Sequence, residues 1–264
     1  MDTFEARASA AAWTGFGCVG WTLHVPFGMD IQLPTAASYA RPPSMFDDGF
    51  IPIDITPDGH RVAYLDVAEL RFLARDLPSG LNRPITPRLT AEEIVGITSV
   101  VGSADGRHFA VSTRENRRTF VTDFETGHMR TVEQVCWAYG LTADRLMGSA
   151  GCDGVGVSID AIRFDGTATP FRSEAELPRD MSPDLRWYID FKKPTSVYET
   201  ATGRRVRVLP SGLSEMRWAD AETLVARDAD IEDGDDYVAI DARTGELIPI
   251  GIPYADSIIF GKVR

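Results

Sequence analysis

The sequence predicts an all-β protein, a propeller built from four-stranded antiparallel blades. Three observations lead to this prediction: two short phrases recur along the chain, the distance between them is nearly constant, and the combined unit repeats about every 40 residues. Alternating apolar and polar residues follow the first phrase, as expected for strands with one buried face. Helical periodicity is almost absent, and only residues 90–95, TAEEIV, predict one turn of helix.

The first phrase is a tight turn centred on an aspartate, and it occurs as TPDG, SADG and SPDL around Asp58, Asp105 and Asp184. Proline fixes φ, aspartate bonds to the neighbouring backbone, and glycine tolerates a positive φ. The second phrase places an acidic residue at the end of a strand and closes four residues later with a glycine that follows Ser or Thr. Its glycines are Gly80, Gly127, Gly203 and Gly245.

The spacing of the two phrases indicates a structural repeat. The turn aspartate and the next turn glycine are 22, 22 and 19 residues apart in the three units that contain both. Successive turn glycines, with Gly166 counted as a degenerate copy, are 47, 39, 37 and 42 residues apart. Repeats of this length with four short strands are typical of propeller blades. We assign successive blades to residues 50–89, 94–133, 135–172, 179–209 and 214–250.

The two ends of the chain are expected to complete the ring within a single domain of residues 1–264. Residues 254–264 predict one innermost strand and residues 13–25 predict two more strands. A blade shared by both ends would remove exposed sheet edges. Six blades follow if residues 1–50 and 252–264 form this closing blade, and a five-bladed ring with an N-terminal extension is the alternative. Residues 33–45, rich in Pro and Ala, predict a loop over one face.

At its repeated turns the chain resembles the WD40-like propeller repeats of the TolB-type group, over residues 53–250. That group carries SPDG after the innermost strand and D-x-x-T-G after the third strand. The resemblance implies a propeller fold. For function it implies a scaffold, a periplasmic binding partner or a gating domain of a peptidase, and it does not choose among them.

The amino-acid composition limits the classes of partner that are expected. The 264 residues carry a formal net charge of -12, which argues against nucleic acid or an anionic membrane as the main partner. We expect a protein or small-molecule ligand, a monomer and no cofactor. The three cysteines (Cys18, Cys136 and Cys152) are odd in number and fit no zinc spacing, so free thiols are predicted. With the acidic start of the chain, which makes a poor signal peptide, they favour a cytoplasmic location.

Two aspartates and an arginine are the first candidates for a ligand site. Alignment of the units on the turn aspartate places Asp54 and Asp180 at the same point, four residues before the turn, and Arg217 near it. Innermost strands converge on the channel of a propeller, so these side chains are expected at one end of it. They could bind a polar ligand or perform acid–base chemistry. The alternative is a network of charges that bridges the inner strands.

The remaining candidates are less specific. Trp137, at the start of the third blade's innermost strand, could stack on a ligand at the channel mouth, and its neighbour Cys136 is interpreted as a structural thiol. A calcium loop is suggested by Asp228, Asp230, Glu232 and Asp233. Its glycine is one place late and no Glu follows at the right distance, so a solvated hairpin is favoured and no metal is expected. Surface positions are predicted for the histidines, His24, His60, His108 and His128.

No strong catalytic motif occurs in the sequence. We therefore favour a non-catalytic binding or scaffold module that presents a propeller face to a protein or small ligand. The alternative is an enzyme, a lyase, cyclase or hydrolase, acting on a secondary metabolite or glycan in the channel through its acidic residues.

Overall fold

The structure is a computed structural model that describes residues 2–8, 20–24, 30–37, 51–149, 159–164, 167–171, 178–228, 236–253 and 258–263. Within these ranges the chain forms 24 strands and one short helix. The strands group into six four-stranded antiparallel sheets. Among the described residues, no helix is both long enough and apolar enough to cross a membrane.

The N-terminal strands pair in chain order. They are β1 (Asp2–Ala8), β2 (Trp21–His24) and β3 (Ile31–Leu33). The first blade follows with β4 (Asp54–Ile55), β5 (Arg61–Asp66), β6 (Arg71–Asp76) and β7 (Asn82–Pro84). The second blade is preceded by helix α1 (Ala91–Val95), and its strands are β8 (Ile97–Gly102), β9 (His108–Thr113), β10 (Arg118–Asp123) and β11 (Met129–Glu133).

The other blades repeat this order. The third contains β12 (Trp137–Leu141), β13 (Arg145–Ser149), β14 (Ile159–Arg163) and β15 (Ala168–Pro170). The fourth contains β16 (Pro178–Met181), β17 (Trp187–Asp190), β18 (Ser196–Glu199) and β19 (Arg205–Val208). The fifth contains β20 (Leu213–Trp218), β21 (Thr223–Asp228), β22 (Asp236–Asp241) and β23 (Leu247–Pro253), and the last strand is β24 (Ile258–Val263).

The ring closes through the two ends of the chain. β24 pairs with β1, so the closing sheet has the order β24-β1-β2-β3. The innermost strands β4, β8, β12, β16, β20 and β24 contact one another in sequence, and β24 returns to β4. The predicted all-β propeller, closed by strands from both ends, is confirmed. Five blades each come from one continuous segment, and the closing sheet joins the ends.

The strand that receives β24 is Asp2–Ala8, a strand that was not predicted individually. Of the two strands expected in residues 13–25, one is present as Trp21–His24, and residues 13–19 lie outside the described part of the chain. The signal was present, because apolar residues alternate with polar ones through DTFEARA. Leu33, assigned to a loop, ends β3, and Ala36 forms an isolated bridge with Asp66 in the first blade.

The repeated phrases have a common structural cause. In the first phrase, the hydroxyl of Thr56 donates to the Asp58 carboxylate over 2.6 Å, and the Gly59 amide donates to the Thr56 carbonyl. In the second phrase, the Asp123 carboxylate accepts the amides of two following residues. Each of the four second-phrase glycines donates its amide to the carbonyl of the acidic residue four places earlier, with φ between 68° and 75°. The phrases therefore encode the turns that separate the strands of each blade.

The core lies between the blades, where the apolar faces of neighbouring sheets pack together. Phe72 of the first blade and Phe109 of the second are fully buried in one such cluster. The predicted helical turn is present at Ala91–Val95, and the Thr90 hydroxyl and Glu93 carboxylate cap it reciprocally. This packing makes each blade rigid and fixes the positions of the innermost strands.

Candidate functional site

Three charged side chains from different blades lie near one another on the innermost strands. Asp54 is in β4, Asp180 in β16 and Arg217 in β20. Asp180 forms an ion pair with Arg217, and both groups act electrostatically on Asp54. The structure thus brings together the three residues that the aligned repeats identified. Val101 and Gly140 take the equivalent positions in the second and third blades.

A β-bulge positions Asp180. The pairing of β16 with β17 shifts between Arg179 and Met181, and Asp180 has a φ of 45°. Aspartate is one of the few residues that adopts this left-handed conformation readily. Its carboxylate accepts a hydrogen bond from Arg217 Nη1 over 3.1 Å, and its carbonyl accepts one from the Trp218 indole over 3.1 Å. Both contacts fix Asp180 against the fifth blade.

The ion pair is partly exposed. The Arg217 side chain is 69% exposed and the Asp180 side chain 23% exposed. Asp180 is nevertheless surrounded by protein, and this desolvation raises the pKa of its carboxyl, while Arg217 opposes the increase. Most of the Arg217 side chain is thus open to solvent, whereas protein surrounds the Asp180 carboxylate. The charge pair is therefore accessible to a ligand that enters the channel.

Asp54 joins two blades. Its Oδ2 accepts a hydrogen bond from the backbone amide of Gly102, in β8, over 2.6 Å. Desolvation by burial raises the pKa of Asp54 to about 7, although the Gly102 amide opposes the shift. The charge on Asp180 raises this pKa further and Arg217 lowers it. Near neutral pH, Asp54 can thus either accept a hydrogen bond from a ligand or donate one.

Other inner strands are joined by similar bonds. The Thr98 hydroxyl of the second blade donates to the Cys136 carbonyl, and Ser99 Oγ accepts from the Ala138 amide over 3.0 Å. The Asp54–Gly102 bond belongs to this set of ties between blades. A role in bridging inner strands and a role in ligand binding are therefore compatible for Asp54.

Trp137 lies away from the three charged residues along its own strand. It precedes Gly140, which occupies the position equivalent to Asp54, by three residues, or about 10 Å of strand. Its indole is 37% exposed and stacks on Tyr139, with ring centres 6.3 Å apart and planes inclined by 26°. A ligand would have to extend over this distance to contact both Trp137 and the carboxylates.

One residue of the suggested calcium loop, Asp228, lies in the described part of the chain. Asp228 ends β21, where its backbone pairs with Asp236. Asp230, Glu232 and Asp233 lie outside the described residues. Across the described ranges, no group of three or more His, Cys, Asp or Glu side chains is arranged to hold a metal ion.

Two predictions about individual residues were wrong. His108 was expected at the surface, but it is 9% exposed, because the first residue of β9 faces the neighbouring third blade. Cys136 was expected as a free thiol, but it is disulfide-bonded, and both other cysteines lie outside the described residues. Disulfides persist in oxidising environments, so the cysteines no longer support the predicted cytoplasmic location.

A recurring arginine on the outermost strands was missed. The Arg83 guanidinium lies 5.5 Å from the ring centre of Phe124 in the next blade, and Arg130 lies 5.2 Å from that of Phe164. Arg207 donates to a backbone carbonyl in the turn of the fifth blade over 2.9 Å. Each arginine follows a turn glycine by three or four residues. This spacing is the feature of the sequence from which the recurring arginine could have been predicted.

Comparison with known proteins gave structural likenesses only. No protein-family model and no curated protein sequence matches the chain. TolB from Acinetobacter baumannii superposes with a TM-score of 0.58 at 12% identity, covering 98% of this chain and 66% of TolB. The β-propeller domain of the trilobed protease from Pyrococcus furiosus gives 0.58 at 12% identity, covering 90% and 75%. A chain from the nidogen/laminin complex gives 0.58 at 13% identity, covering 99% of both chains.

These identities are low enough that the likenesses establish the fold alone. The chain spans slightly less than two thirds of the TolB chain. The sequential contacts of the innermost strands and the sheet closed by both ends agree with the superpositions. The chain is a β-propeller, and its structural neighbours include TolB-type proteins.

Proposed function

We propose that this protein is a non-catalytic binding module that recognises a ligand with Asp54, Asp180 and Arg217. The observation that carries the proposal is the convergence of three charged groups from three blades, close enough for the pKa of Asp54 to respond to both others. Rigid, convergent polar groups at the end of a channel are typical of small-ligand sites. The net charge of -12 favours a neutral or cationic partner.

The site is preorganised. Asp54 is held by the Gly102 amide, and Asp180 is held by its bulge and by Arg217. Groups that are already fixed lose little conformational entropy on binding. A suitable ligand carries a hydrogen-bond donor or cation for the carboxyl groups and an acceptor for the guanidinium. Such a ligand could be a polar small molecule or an exposed segment of a protein.

The structural neighbours give limited support for a protein partner. One of them comes from a complex of nidogen with laminin, and another is a propeller domain of a protease. These are properties of those proteins. For this chain they support a protein segment as one class of ligand.

A second candidate function is acid–base catalysis by Asp54. The pKa of about 7 favours it, because a general acid or base is most effective when its pKa is near the working pH. The reaction would be that of a lyase, cyclase or hydrolase on a polar secondary metabolite or glycan. Binding without turnover remains the preferred function because Asp54 already uses one oxygen to join two blades.

The two functions can be separated experimentally. Wild-type protein, Asp54→Asn, Asp180→Asn and the exposed control Glu246→Gln are tested by thermal shift against amino acids, polyamines, dicarboxylates and oligosaccharides. Binding predicts a compound that stabilises the wild type and the control, is bound at least tenfold more weakly by the two Asn variants, and is recovered unchanged. Catalysis predicts that a compound is consumed by the wild type and not by Asp54→Asn.

Binding of protein ligands is tested in a separate experiment. The same four proteins are used as bait in native extract, and the binding proposal predicts capture of a partner by the wild type and the control only. If no compound and no captured protein distinguishes the Asn variants from the control, the site assignment is overturned.

A further inference from the structure

A pocket lies between the second and third blades. Its volume is about 370 Å³, and its walls include His108, Asp123, Thr126, Arg130, Ala143 and Phe164. The first four belong to the second blade and the last two to turns of the third. None of the three residues of the channel site lines it.

The groove between the first and second blades has the same construction. Arg61 is the first residue of β5 and pairs with Asp76, as His108 is the first residue of β9 and pairs with Asp123. Phe124 directly follows β10, and the corresponding Phe164 directly follows β14. Arg61 and His108 are therefore equivalent, and they differ in side-chain length and charge.

Arg61 fills the first groove. Its Nη1 donates to the Gly106 carbonyl over 2.7 Å, its guanidinium is ion-paired with Glu125, and Nε lies 3.5 Å from Asp76 Oδ2. The guanidinium carbon lies 4.1 Å from the ring centre of Phe124. Arg83 approaches the same ring, and Phe124 is only 2% exposed. The groove thus holds two guanidinium groups beside one aromatic ring.

In the second groove, one guanidinium among the described residues lies beside the aromatic ring, and a second, that of Arg107, is ion-paired with Asp123 over 2.7 Å. Arg130 approaches Phe164 as Arg83 approaches Phe124, at 5.2 Å. At the position of Arg61, the shorter His108 places its ring centre 6.2 Å from that of Phe164. Phe164 remains partly exposed. The pocket therefore corresponds to the volume that the Arg61 guanidinium occupies in the first groove.

Polar groups in the pocket suit a cation with several N–H donors. His108 Nδ1 is buried and bonds to no described residue, while Nε2 lies 4.0 Å from Asp123 Oδ2, an oxygen that also accepts hydrogen bonds from the Arg107 guanidinium. Burial lowers the pKa of His108, so the imidazole is uncharged at neutral pH and can accept a hydrogen bond. Phe164 offers an aromatic surface, on which a guanidinium is stabilised by the ring quadrupole.

We propose that this inter-blade pocket binds the guanidinium of an arginine side chain presented by a partner protein. The partner's arginine would take the place that Arg61 takes in the first groove, beside Phe164 and His108 and next to the Arg107–Asp123 ion pair. Arginine is preferred over lysine because its planar group can stack on the ring and donate a hydrogen bond at the same time. The inference is independent of the channel site, since the two sites share no residue.

The test uses N-acetyl-arginine amide as probe and the methyl signals of Val121, Thr126 and Ala143, followed by NMR, as readout. Saturable shifts of these signals are expected, with N-acetyl-lysine amide at least threefold weaker. His108→Arg reproduces the residue of the first groove, so it should fill the pocket, raise Tm and weaken binding at least tenfold. His60→Arg adds the same charge at an exposed position and should leave binding unchanged.

The reverse substitution, at the equivalent position of the first groove, tests the proposal without relying on a change in stability. Arg61→His should open the first groove and give a second, similar binding site. Equal shifts with arginine, lysine and glycine amides would overturn the proposal, as would unchanged binding in His108→Arg. Binding of inorganic phosphate at these residues with no response to arginine amide would identify an anion site and also overturn it. The exposed control Glu246→Gln should bind the probe like the wild type.

Discussion

Asp54 Oδ2 lies 2.6 Å from the backbone nitrogen of Gly102 and thereby joins the innermost strands of the first and second blades. Glycine at position 102 makes this approach possible, because a Cβ there would lie 3.3 Å from the same carboxylate oxygen and 3.0 Å from Thr56 Cγ2. The carboxyl is also desolvated enough for its pKa to rise to about 7. A single group therefore contributes to the contact between the first and second blades and to proton exchange near neutral pH.

The raised pKa of Asp54 predicts a pH-dependent stability. Between the unfolded value of 3.8 and the folded value of about 7, the folded state binds the proton more tightly, so its contribution to stability is present at low pH and lost as pH rises through 7. The full shift corresponds to about 4 kcal/mol. The part of this loss that falls between pH 5 and pH 8 is about 2–3 kcal/mol, because the rest occurs between pH 3.8 and pH 5.

Urea denaturation of wild type and Asp54→Asn at pH 5 and pH 8 measures this effect. The Asn oxygen can still accept the Gly102 amide, so the variant should gain stability relative to the wild type as the pH rises from 5 to 8. An identical change in unfolding free energy between the two pH values in both proteins would contradict the assignment.

Asp180→Asn is expected to change the unfolding free energy by less than about 1 kcal/mol, because its partner Arg217 is 69% exposed. Breaking a buried ion pair would instead cost about 3–5 kcal/mol. Asparagine also adopts the positive φ that the bulge requires. Asp180→Val, a β-branched residue in the same conformation, should be clearly less stable, and chemical denaturation compares the two.

Gly140→Ala is expected to destabilise the contact between the third and fourth blades. A Cβ at this position would lie 2.3 Å from Leu185 Cδ2, inside van der Waals contact. Leu185 is buried at a turn, so relief requires repacking, which typically costs about 1–3 kcal/mol. Thermal unfolding measures the loss.

A second-site change tests the cause. Leu185 has a φ of 59° where the first two blades have glycine, so Leu185→Gly removes both the clash and the strained conformation. The double variant should recover part of the stability lost in Gly140→Ala. As a matched control, Gly20→Ala places its Cβ 3.4 Å or more from its neighbours and should be tolerated. Equal loss in both alanine variants would argue against the steric explanation.

Deletion of residues 1–8 should open the ring. β1 lies between β24 and β2 and pairs with both, so its loss leaves two unpaired strand edges that favour aggregation. We expect a lower Tm and oligomers in size-exclusion chromatography. Replacement of residues 2–8 by an unrelated alternating Thr-Val segment should restore a monomer, since backbone pairing carries the effect. A truncated protein with unchanged Tm would show that the closing sheet does not stabilise the ring.

Much of the architecture could be predicted from the sequence because it depends on local chemistry. The turn phrases work through hydrogen bonds between residues two to five positions apart, as in Thr56 with Asp58, and through glycines with positive φ. Their regular spacing sets the register of each blade. That register was sufficient to predict that Asp54 and Asp180 occupy equivalent positions.

Contacts between blades could not be predicted in the same way. His108 resembles a surface residue in sequence, and only the packing of the third blade buries it. Nothing local shows that Arg61 reaches the Gly106 carbonyl, 45 residues away, or that a shorter side chain at the equivalent position leaves a pocket. The strand at Asp2–Ala8 was missed because its partner, β24, is at the other end of the chain.

By itself, the sequence determined the all-β class, the repeating blade, the positions of the turns and the equivalence of Asp54 with Asp180, because each depends on the φ preferences and hydrogen bonds of neighbouring residues. Only the tertiary structure decided the pairing of Arg217 with Asp180, the raised pKa of Asp54 and the pocket beside His108. These depend on desolvation and on distances across blades, which are fixed only when the ring closes.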